Sequence, residues 1–199
     1  MENKIINFIK DQIDESINTK KNILIDNDML ILISEISQKI INAYKNNFKT
    51  ILAGNGGSAA DSQHIAAEFV SRFYFDRDAL PSISLTTDTS ILTAIGNDYS
   101  FDNIFKRQIQ AIGNEGDIFI AISTSGNSKN ILEAIKECKK KNIITIGLTG
   151  KKGGLMSDLC DYIVKVPSSD TPRIQESHIL IGHILCSIVE ETLFGNKGL

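Results

Sequence analysis

Five short runs rich in β-branched and other apolar residues alternate with segments of helical length along most of this 199-residue chain. The runs are TILA (50–53), SISL (82–85), IFIAI (118–122), ITIGL (144–148) and YIVKV (162–166). Strands that are apolar on both faces and separated by helices are typical of a parallel sheet covered on two sides. The alternation therefore predicts an α/β fold, a three-layer sandwich around a central five-stranded parallel sheet.

Apolar residues at helical spacing mark the helices around these strands. An isoleucine recurs every four residues from Ile5 to Ile17, and a second stripe runs from Leu30 to Tyr44, so two helices come first. Further helices are predicted at 58–75, 102–112, 128–141 and about 173–194. Because Pro and Gly fall between the elements and no linker interrupts them, we expect a single domain over 1–199, with N-terminal helices in 1–47 and an α/β core in 48–199.

The composition is that of an ordinary soluble globule, with 42% hydrophobic and 23% charged residues. A net charge of −3 gives no indication of nucleic acid or an anionic membrane as a partner. The three cysteines form no CxxC pair, the N-terminus is acidic where a signal peptide would be apolar, and no apolar run reaches the roughly 18 residues of a membrane span. We therefore expect a cytoplasmic protein.

Two unusually polar loops follow the first and third predicted strands. The first, GNGGSAA (54–60), can expose backbone N–H groups, and Ser58 can cap the next helix. The second, STSGNSKN (123–130), offers the hydroxyls of Ser123, Thr124, Ser125 and Ser128. Ligands of parallel sheets bind at the carboxyl ends of strands. Neither loop ends in the GK[ST] of a nucleotide-triphosphate loop, so the pair predicts a small phosphorylated metabolite rather than ATP.

Two other interpretations of these loops remain open. Either loop alone could be a simple capping turn, and residues 54–59 also match the dinucleotide pattern G-x-G-x-x-A. That pattern expects an acidic residue at the end of the next strand, where this chain has Thr86 and Thr87, with Asp88 arriving late. Two helices also precede the glycine-rich strand, so a dinucleotide is the less favoured ligand.

Titratable residues are concentrated on two of the predicted helices. His64, Glu68 and Arg72 occupy positions i, i+4 and i+8 and would form one stripe, either as a solvated ion pair or as part of a site. On the last helix, Gln175 and His183 lie within about 80° of each other, whereas His178 and His183 are about 140° apart. The two histidines therefore cannot face the same point.

Several long segments, taken in order, resemble the sugar-isomerase (SIS) domain family and, within it, the phosphoheptose isomerases. They are AGNGGSAADSQHIAAEF, LTTDTSILTAIGNDYSFD, ISTSGNS, LTGKKGG and RIQESH, and the resemblance covers nearly the whole chain. It implies a flavodoxin-like SIS fold and a homotetramer in which the N-terminal helices pack. It also implies isomerisation of sedoheptulose 7-phosphate to D-glycero-D-manno-heptose 7-phosphate, which opens the route to the ADP-heptose of surface polysaccharides.

The resemblance also implies the site residues. One zinc ion per subunit would be bound by His64, Glu68, Gln175 and His183. Glu68 would act as the base and His183 as an acid/base in an enediol(ate) mechanism. The expected contacts to the phosphorylated seven-carbon sugar are Asn55, Gly56, Gly57, Ser58, Glu68, Arg72, Asn97, Asp98, Ser123, Thr124, Ser125, Ser128 and Gln175.

An alternative function and a question of assembly follow from the same residues. Similar non-catalytic SIS scaffolds bind a replication-initiator protein, but Glu68 and His183 are both present here and favour an enzyme. Gln175 and His183 are eight residues apart, about 12 Å along a helix, and could reach one metal only with almost no slack. We therefore expect the pocket at a subunit interface, with some residues supplied by a neighbouring protomer.

Overall fold

The computed structural model describes residues 2–196, which contain one five-stranded parallel sheet. Its strands are β1 (Thr50–Gly54), β2 (Ser82–Ser84), β3 (Ile118–Ile122), β4 (Ile144–Gly150) and β5 (Tyr162–Val166). They lie in the order β2-β1-β3-β4-β5, the flavodoxin-like order, with Leu52 paired to Ile120 and Ile120 paired to Ile146. The predicted fold class is confirmed, and every predicted strand agrees with the structure to within two residues.

Eight α-helices connect and cover the strands in the described part of the chain. They are α1 (Glu2–Ile25), α2 (Asn27–Lys45), α3 (Gly57–Val70), α4 (Thr89–Asp98), α5 (Ile104–Ile112), α6 (Lys129–Lys140), α7 (Met156–Leu159) and α8 (Thr171–Phe194). The sequence prediction missed α4 and α7 and carried α3 five residues too far. Asp88 begins α4, since its carboxylate accepts a hydrogen bond from the Ile91 N–H. The acid that a dinucleotide site would require is therefore a helix cap.

The sheet separates two apolar cores because successive strand residues point to opposite faces. On one face, Leu52 and Ile120 pack with residues of α2, α3 and α8. On the other, Ile51 and Phe119 pack with residues of α5 and α6. Helices α3 and α8 thus share a layer, although most of the chain separates them in sequence.

Helix α8 passes the length and composition test for a membrane span, with a mean hydropathy of 1.3 over its best 18-residue window. Half of that window is buried inside the fold, where Ile181 and Leu185 are almost inaccessible to solvent. A buried core helix meets the same test, and α8 packs as one.

The two N-terminal helices differ in how they pack. Helix α2 buries Ile36 and Ile40 completely in the core. Helix α1 leaves its isoleucine stripe in solvent, with Ile5, Ile9 and Ile13 each at least half exposed. A helix normally buries such a stripe, so α1 presents an unpaired apolar face.

Candidate functional site

Helices α3 and α8 run side by side in the same direction, and a glycine permits the close approach at two points. A Cβ atom on Gly57 would lie 2.6 Å from Nε2 of Gln175 near the start of both helices. A Cβ on Gly182 would lie 2.5 Å from Cδ1 of Ile65 two turns later. Because the helices are parallel and close, side chains that lie the same distance along α3 and α8 come into contact.

His64, Glu68 and His183 meet in this way. The Nε2 atoms of His64 and His183 are 2.8 Å apart, and Nε2 of His64 is 3.5 Å from a carboxylate oxygen of Glu68. One ligand atom from each of the three residues lies within 4.8 Å of the others. His64 is half exposed and Glu68 is partly buried, so a small ligand can reach the cluster from solvent.

The donor set of this cluster suits zinc. Two imidazole nitrogens and a carboxylate oxygen form a known three-ligand set for catalytic zinc, which leaves a position open for water or substrate. Nitrogens bound to one tetrahedral zinc at about 2.0–2.1 Å would be roughly 3.3 Å apart, so the two rings would separate by about half an ångström. An exposed histidine side chain can make that adjustment by rotation.

The cluster forms within a single chain, and the hypothesis that a neighbouring protomer supplies other residues of the pocket stays a prediction. Glu68 and His183 do not need to come from different protomers, because the parallel packing of α3 and α8 brings them together. Gln175 lies against Gly57, about 10 Å along α3 from His64 by helical rise. Its assignment as the fourth zinc ligand stays a prediction.

The two histidines of α8 separate as the helical wheel requires. His183 faces His64, whereas His178 is completely buried against the sheet. Burial lowers the pKa of His178 from its usual 6.5 to about 4, and the nearby backbone of Thr149 offsets only part of this. Neither ring nitrogen of His178 meets a partner in hydrogen-bonding geometry among the described residues. His178 is thus a neutral core residue.

Arg72 does not continue the stripe of His64 and Glu68, so that part of the prediction is wrong. Helix α3 ends at Val70, and Arg72 lies exposed in the segment that follows it. The helix stops because tertiary contacts take its terminal groups: Arg77 donates to the carbonyl oxygens of Glu68 and Phe69. Lost helical hydrogen bonds are thereby replaced.

The first polar loop enters α3 without a side-chain cap. Gly56 is the N-cap residue and has φ of 57°, a left-handed conformation that favours glycine. Ser58 lies inside the helix and is buried, and its carbonyl accepts from the Ser62 hydroxyl, so the predicted capping role of Ser58 is wrong. Gly56 and Gly57 are exposed at the carboxyl end of β1, as an anion site requires.

The second polar loop gathers its hydroxyl groups at the carboxyl end of the neighbouring strand, β3. The Ser123 and Ser128 hydroxyls are 2.9 Å apart, and that of Ser125 lies 3.5 Å from Ser123 and accepts from the Asn127 N–H. The Thr124 carbonyl oxygen accepts a hydrogen bond from the Gly150 N–H. The loop is therefore held at its base, with Ser125 exposed, Thr124 and Ser128 partly exposed and Ser123 buried beneath them.

The glycine of the second loop is required by packing. Gly126 has φ of 67°, and a Cβ atom there would overlap the carbonyl oxygen of Gly153 in the KKGG segment. Gly154 has φ of 58°, and a Cβ atom there would lie 2.5 Å from the carbonyl oxygen of Ser125. The ISTSGNS and LTGKKGG segments are thus two backbones in direct contact.

Asn97 and Asp98 are not brought to the histidine cluster. They end α4, where the Asn97 amide donates to the Asp98 carboxylate at 2.9 Å, and both are exposed. Asp98 lines a groove of about 620 Å³ between β2, α4 and α5. His183 lines a different cavity of about 330 Å³ beside Phe73 and Tyr74.

Four further residues near the site were missed by sequence reasoning. Asn130 exchanges two hydrogen bonds with Asn55, and Arg77 with Glu190 forms a buried ion pair beside the cluster. Asp61, one turn before His64, has its pKa raised by burial, and His64 opposes that shift. Asp61 had a local signal, its position on the His64 helix, whereas the Asn55–Asn130 and Arg77–Glu190 pairs each join residues more than 70 positions apart in sequence.

Comparison with known proteins identifies relatives over nearly the full length. The sequence model of the SIS domain matches residues 14–150. The phosphoheptose isomerase of Aneurinibacillus thermoaerophilus is 64% identical over 190 residues, and 96% of each chain is covered. Phosphoheptose isomerase 2 of Campylobacter jejuni is 65% identical over 195 residues, covering 98% of this chain and 96% of its own.

A solved structure gives the same picture. The phosphoheptose isomerase of Neisseria gonorrhoeae superimposes with a TM-score of 0.88 at 38% identity, covering 94% of this chain and 99% of that one. This identity is high enough for the likeness to extend beyond the fold class. The fold, the family model and the full-length relatives therefore agree.

Proposed function

Because this chain belongs to the phosphoheptose isomerases of the SIS domain family, we propose that it converts sedoheptulose 7-phosphate to D-glycero-D-manno-heptose 7-phosphate. Its relatives make it a sugar-phosphate isomerase. The observation that carries the finer proposal is the meeting of His64, Glu68 and His183 within one chain. The product would enter the synthesis of ADP-heptose for surface polysaccharides.

Moving a carbonyl between C1 and C2 needs a base that takes a proton from one carbon and returns it to the other. Glu68 is assigned this role because its carboxylate is partly buried and has His64 as a neighbour. The enediolate also needs a proton moved between its two oxygens, and His183 is assigned to that transfer. A zinc ion would be held by His64, Glu68 and His183, with Gln175 as the predicted fourth ligand that the substrate replaces, and it would supply Lewis-acid polarisation of the sugar oxygens.

The phosphate end of the sugar is assigned to the two polar loops. They follow adjacent strands, and the Asn55–Asn130 pair ties one to the other. Gly56 and Gly57 offer an exposed helix start, while Ser123, Thr124, Ser125 and Ser128 offer hydroxyls. Hydroxyls and backbone N–H groups at helix starts are suitable partners for a phosphate dianion.

The active assembly is proposed to be a homotetramer. The exposed isoleucine stripe of α1 would be buried against other copies, since a contiguous apolar face of this kind marks an interaction surface. Asn97, Asp98 and Arg72, which lie away from the cluster or beyond its helix, would complete the pocket of a neighbouring copy. The three free cysteines suit a cytoplasmic enzyme.

The test is aldose formation from sedoheptulose 7-phosphate by the purified full-length protein, with fructose 6-phosphate and ribulose 5-phosphate as comparison ketoses. We expect turnover with the heptulose and a kcat/KM at least tenfold lower with the shorter sugars. Turnover favouring a shorter sugar would replace the assigned substrate. A protein that binds these sugars without turning them over would instead be a scaffold of the kind that binds a replication initiator.

A further inference from the structure

The buried Arg77–Glu190 pair lies at the C-terminal end of α3, and Glu190 follows His183 by seven residues on α8. The Nε atom of Arg77 is 3.0 Å from a carboxylate oxygen of Glu190, and the two side chains are 2% and 1% exposed. Arg77 belongs to the segment after α3, whereas Glu190 lies on α8. The pair therefore joins the two helices that carry the cluster, at the end nearest His183.

Arg77 fixes the last turn of α3. Its two terminal nitrogens donate to the carbonyl oxygens of Glu68 and Phe69 at 2.9 and 2.8 Å. These carbonyls are among those that a helix end leaves without an intrahelical partner. The residue whose carboxylate joins the cluster thus has its backbone bound by a buried guanidinium.

Glu190 fixes the other wall of the site. Its two carboxylate oxygens accept hydrogen bonds from the backbone N–H groups of Phe73 and Tyr74 at 2.7 and 2.6 Å. The Phe73 ring in turn packs on the His183 ring, with their centroids 5.5 Å apart. Burial alone would raise the pKa of Glu190, but these N–H donors and Arg77 hold it below the usual range, so the carboxylate is charged.

We propose that Arg77 and Glu190 are positioning residues that set the distance between α3 and α8 at the cluster. Arg77 acts through the backbone of Glu68, and Glu190 acts through Phe73 on the His183 ring. A purely structural ion pair would contribute to folding and leave the site geometry unchanged. This inference rests on the proposed function, because the cluster is where the geometry is to be measured.

A matched control for Glu190 lies at the amino ends of the strands. Asp117 precedes β3, its side chain is 2% exposed, and it also accepts from two backbone N–H groups, those of Lys49 and Asn114, and from a basic side chain. Asp117→Asn and Glu190→Gln therefore remove the same charge from similarly buried sites. Only Glu190→Gln disturbs the elements around the cluster.

The experiment measures zinc affinity by chelator competition, together with kcat, KM and urea unfolding, for full-length wild type and both variants. We expect Glu190→Gln to weaken zinc binding at least tenfold and to lower kcat by a similar factor, because groups that orient metal ligands have effects of about 10- to 100-fold. KM for the sugar phosphate should change less than threefold. Asp117→Asn should stay within twofold of wild type in zinc affinity and kcat while losing a similar amount of stability.

Two more variants separate charge from position. Arg77→Lys keeps the charge but loses the fork that reaches two carbonyls, so its zinc affinity should fall between those of wild type and Glu190→Gln. The double variant Arg77→Met/Glu190→Gln leaves no unpaired buried charge and should fold well, since replacing both members of a buried pair is often tolerated. It should still bind zinc weakly, because the guanidinium and one of the two oxygens that accept from the Phe73 and Tyr74 N–H groups are gone.

Zinc affinity and kcat like those of wild type in the folded double variant would overturn the inference and leave the proposed function intact. Equal losses in Asp117→Asn and Glu190→Gln would overturn it as well, since the effect would then follow stability. A wild-type protein that neither binds zinc nor turns over a sugar phosphate would overturn the proposed function, and the inference with it.

Discussion

The side-chain amides of Asn55 and Asn130 face each other and exchange two hydrogen bonds, of 2.9 and 2.8 Å. Asn55 lies in the loop after β1, and Asn130 lies in the first turn of α6, after the loop that follows β3. The pair therefore fixes the spacing of the two proposed phosphate loops. An amide suits this position because it offers a donor and an acceptor on one planar group.

Asn130→Ala should lower the free energy of unfolding by about 1–3 kcal/mol, because the amide of Asn55 loses both partners. KM for the sugar phosphate should rise more than kcat falls, since the loops that bind the phosphate lose their spacing. Urea unfolding and steady-state kinetics measure the two effects. Asn46→Ala, which breaks one exposed bond at the end of α2, is the control. An unchanged KM in Asn130→Ala would show that the pair does not position the loops.

Glu68→Gln keeps the shape of the side chain and removes its proton affinity. If Glu68 is the base, kcat should fall by roughly 10²- to 10⁴-fold while the phosphosugar still binds. Glu133→Gln removes a carboxylate that pairs with Lys106 and Lys136 outside the site, and it should leave kcat unchanged. Retention of more than a tenth of wild-type turnover by Glu68→Gln would end the assignment.

Mixing two inactive chains tests whether the cluster is intramolecular. Because Glu68 and His183 meet within one chain, co-refolded Glu68→Gln and His183→Ala proteins should remain inactive even in verified mixed tetramers. Every site in such a hybrid has one defective member of the pair. Recovered activity would mean that the working site pairs these residues across an interface.

The burial of His178 should make stability depend on pH in a defined window. The unfolded chain takes up a proton near the usual pKa of 6.5, whereas folding lowers the pKa of His178 to about 4. The full stability is therefore present above pH 6.5, and on the order of 3 kcal/mol is lost as the pH falls to about 4.

Urea unfolding at pH 7 and at pH 4.5 measures this loss. His178→Leu cannot titrate at this position. Its free energy of unfolding should therefore fall less than that of wild type between pH 7 and pH 4.5, and the difference should be most of the roughly 3 kcal/mol given above. Equal pH dependence of wild type and His178→Leu would show that His178 does not remain neutral in the core. Other titrating groups are common to both proteins and cancel in the comparison.

Two glycine-to-alanine substitutions should change the free energy of unfolding in opposite directions. Gly126→Ala places a methyl group against the carbonyl of Gly153 at a left-handed φ, so we expect a loss of about 2 kcal/mol or more. Gly96→Ala lies in α4 with no atom within 4 Å of the new methyl group, so it should gain about 0.5–1 kcal/mol. Thermal unfolding of both variants measures these changes. A Gly126→Ala protein as stable as wild type would contradict the contact between the two loops.

Local patterns predicted the sheet well because each strand carries its own signal. IFIAI is apolar over five residues and YIVKV is apolar except for the exposed Lys165, and the structure begins and ends both strands where the pattern does. The prediction assigned no element between SISL (82–85) and the helix at 102–112, so it missed α4, although Asp88 three residues before Ile91 is a possible helix cap. The periodicity of α8 correctly separated His178 from His183.

Tertiary contacts decided the features that the sequence did not reveal. The end of α3 depends on Arg77. Gly56 and not Ser58 is the N-cap residue, and Ser58 lies inside the helix, packed closely on Gly54. The meeting of His64 with His183 depends on a parallel arrangement of two helices, which no local pattern specifies. Long-range geometry of this kind is set by how the layers pack.

The packing of α8 beside α3 also has a consequence for the order of events during protein synthesis. Chains fold from the N-terminal side as they are made, and His64 precedes its partner His183 by 119 residues. A growing chain that has completed β1 and α3 carries the histidine and carboxylate of one helix and nothing opposite them. Such a pair is a poor metal site compared with the full cluster. The complete cluster of His64, Glu68 and His183 therefore exists only after α8 has been made.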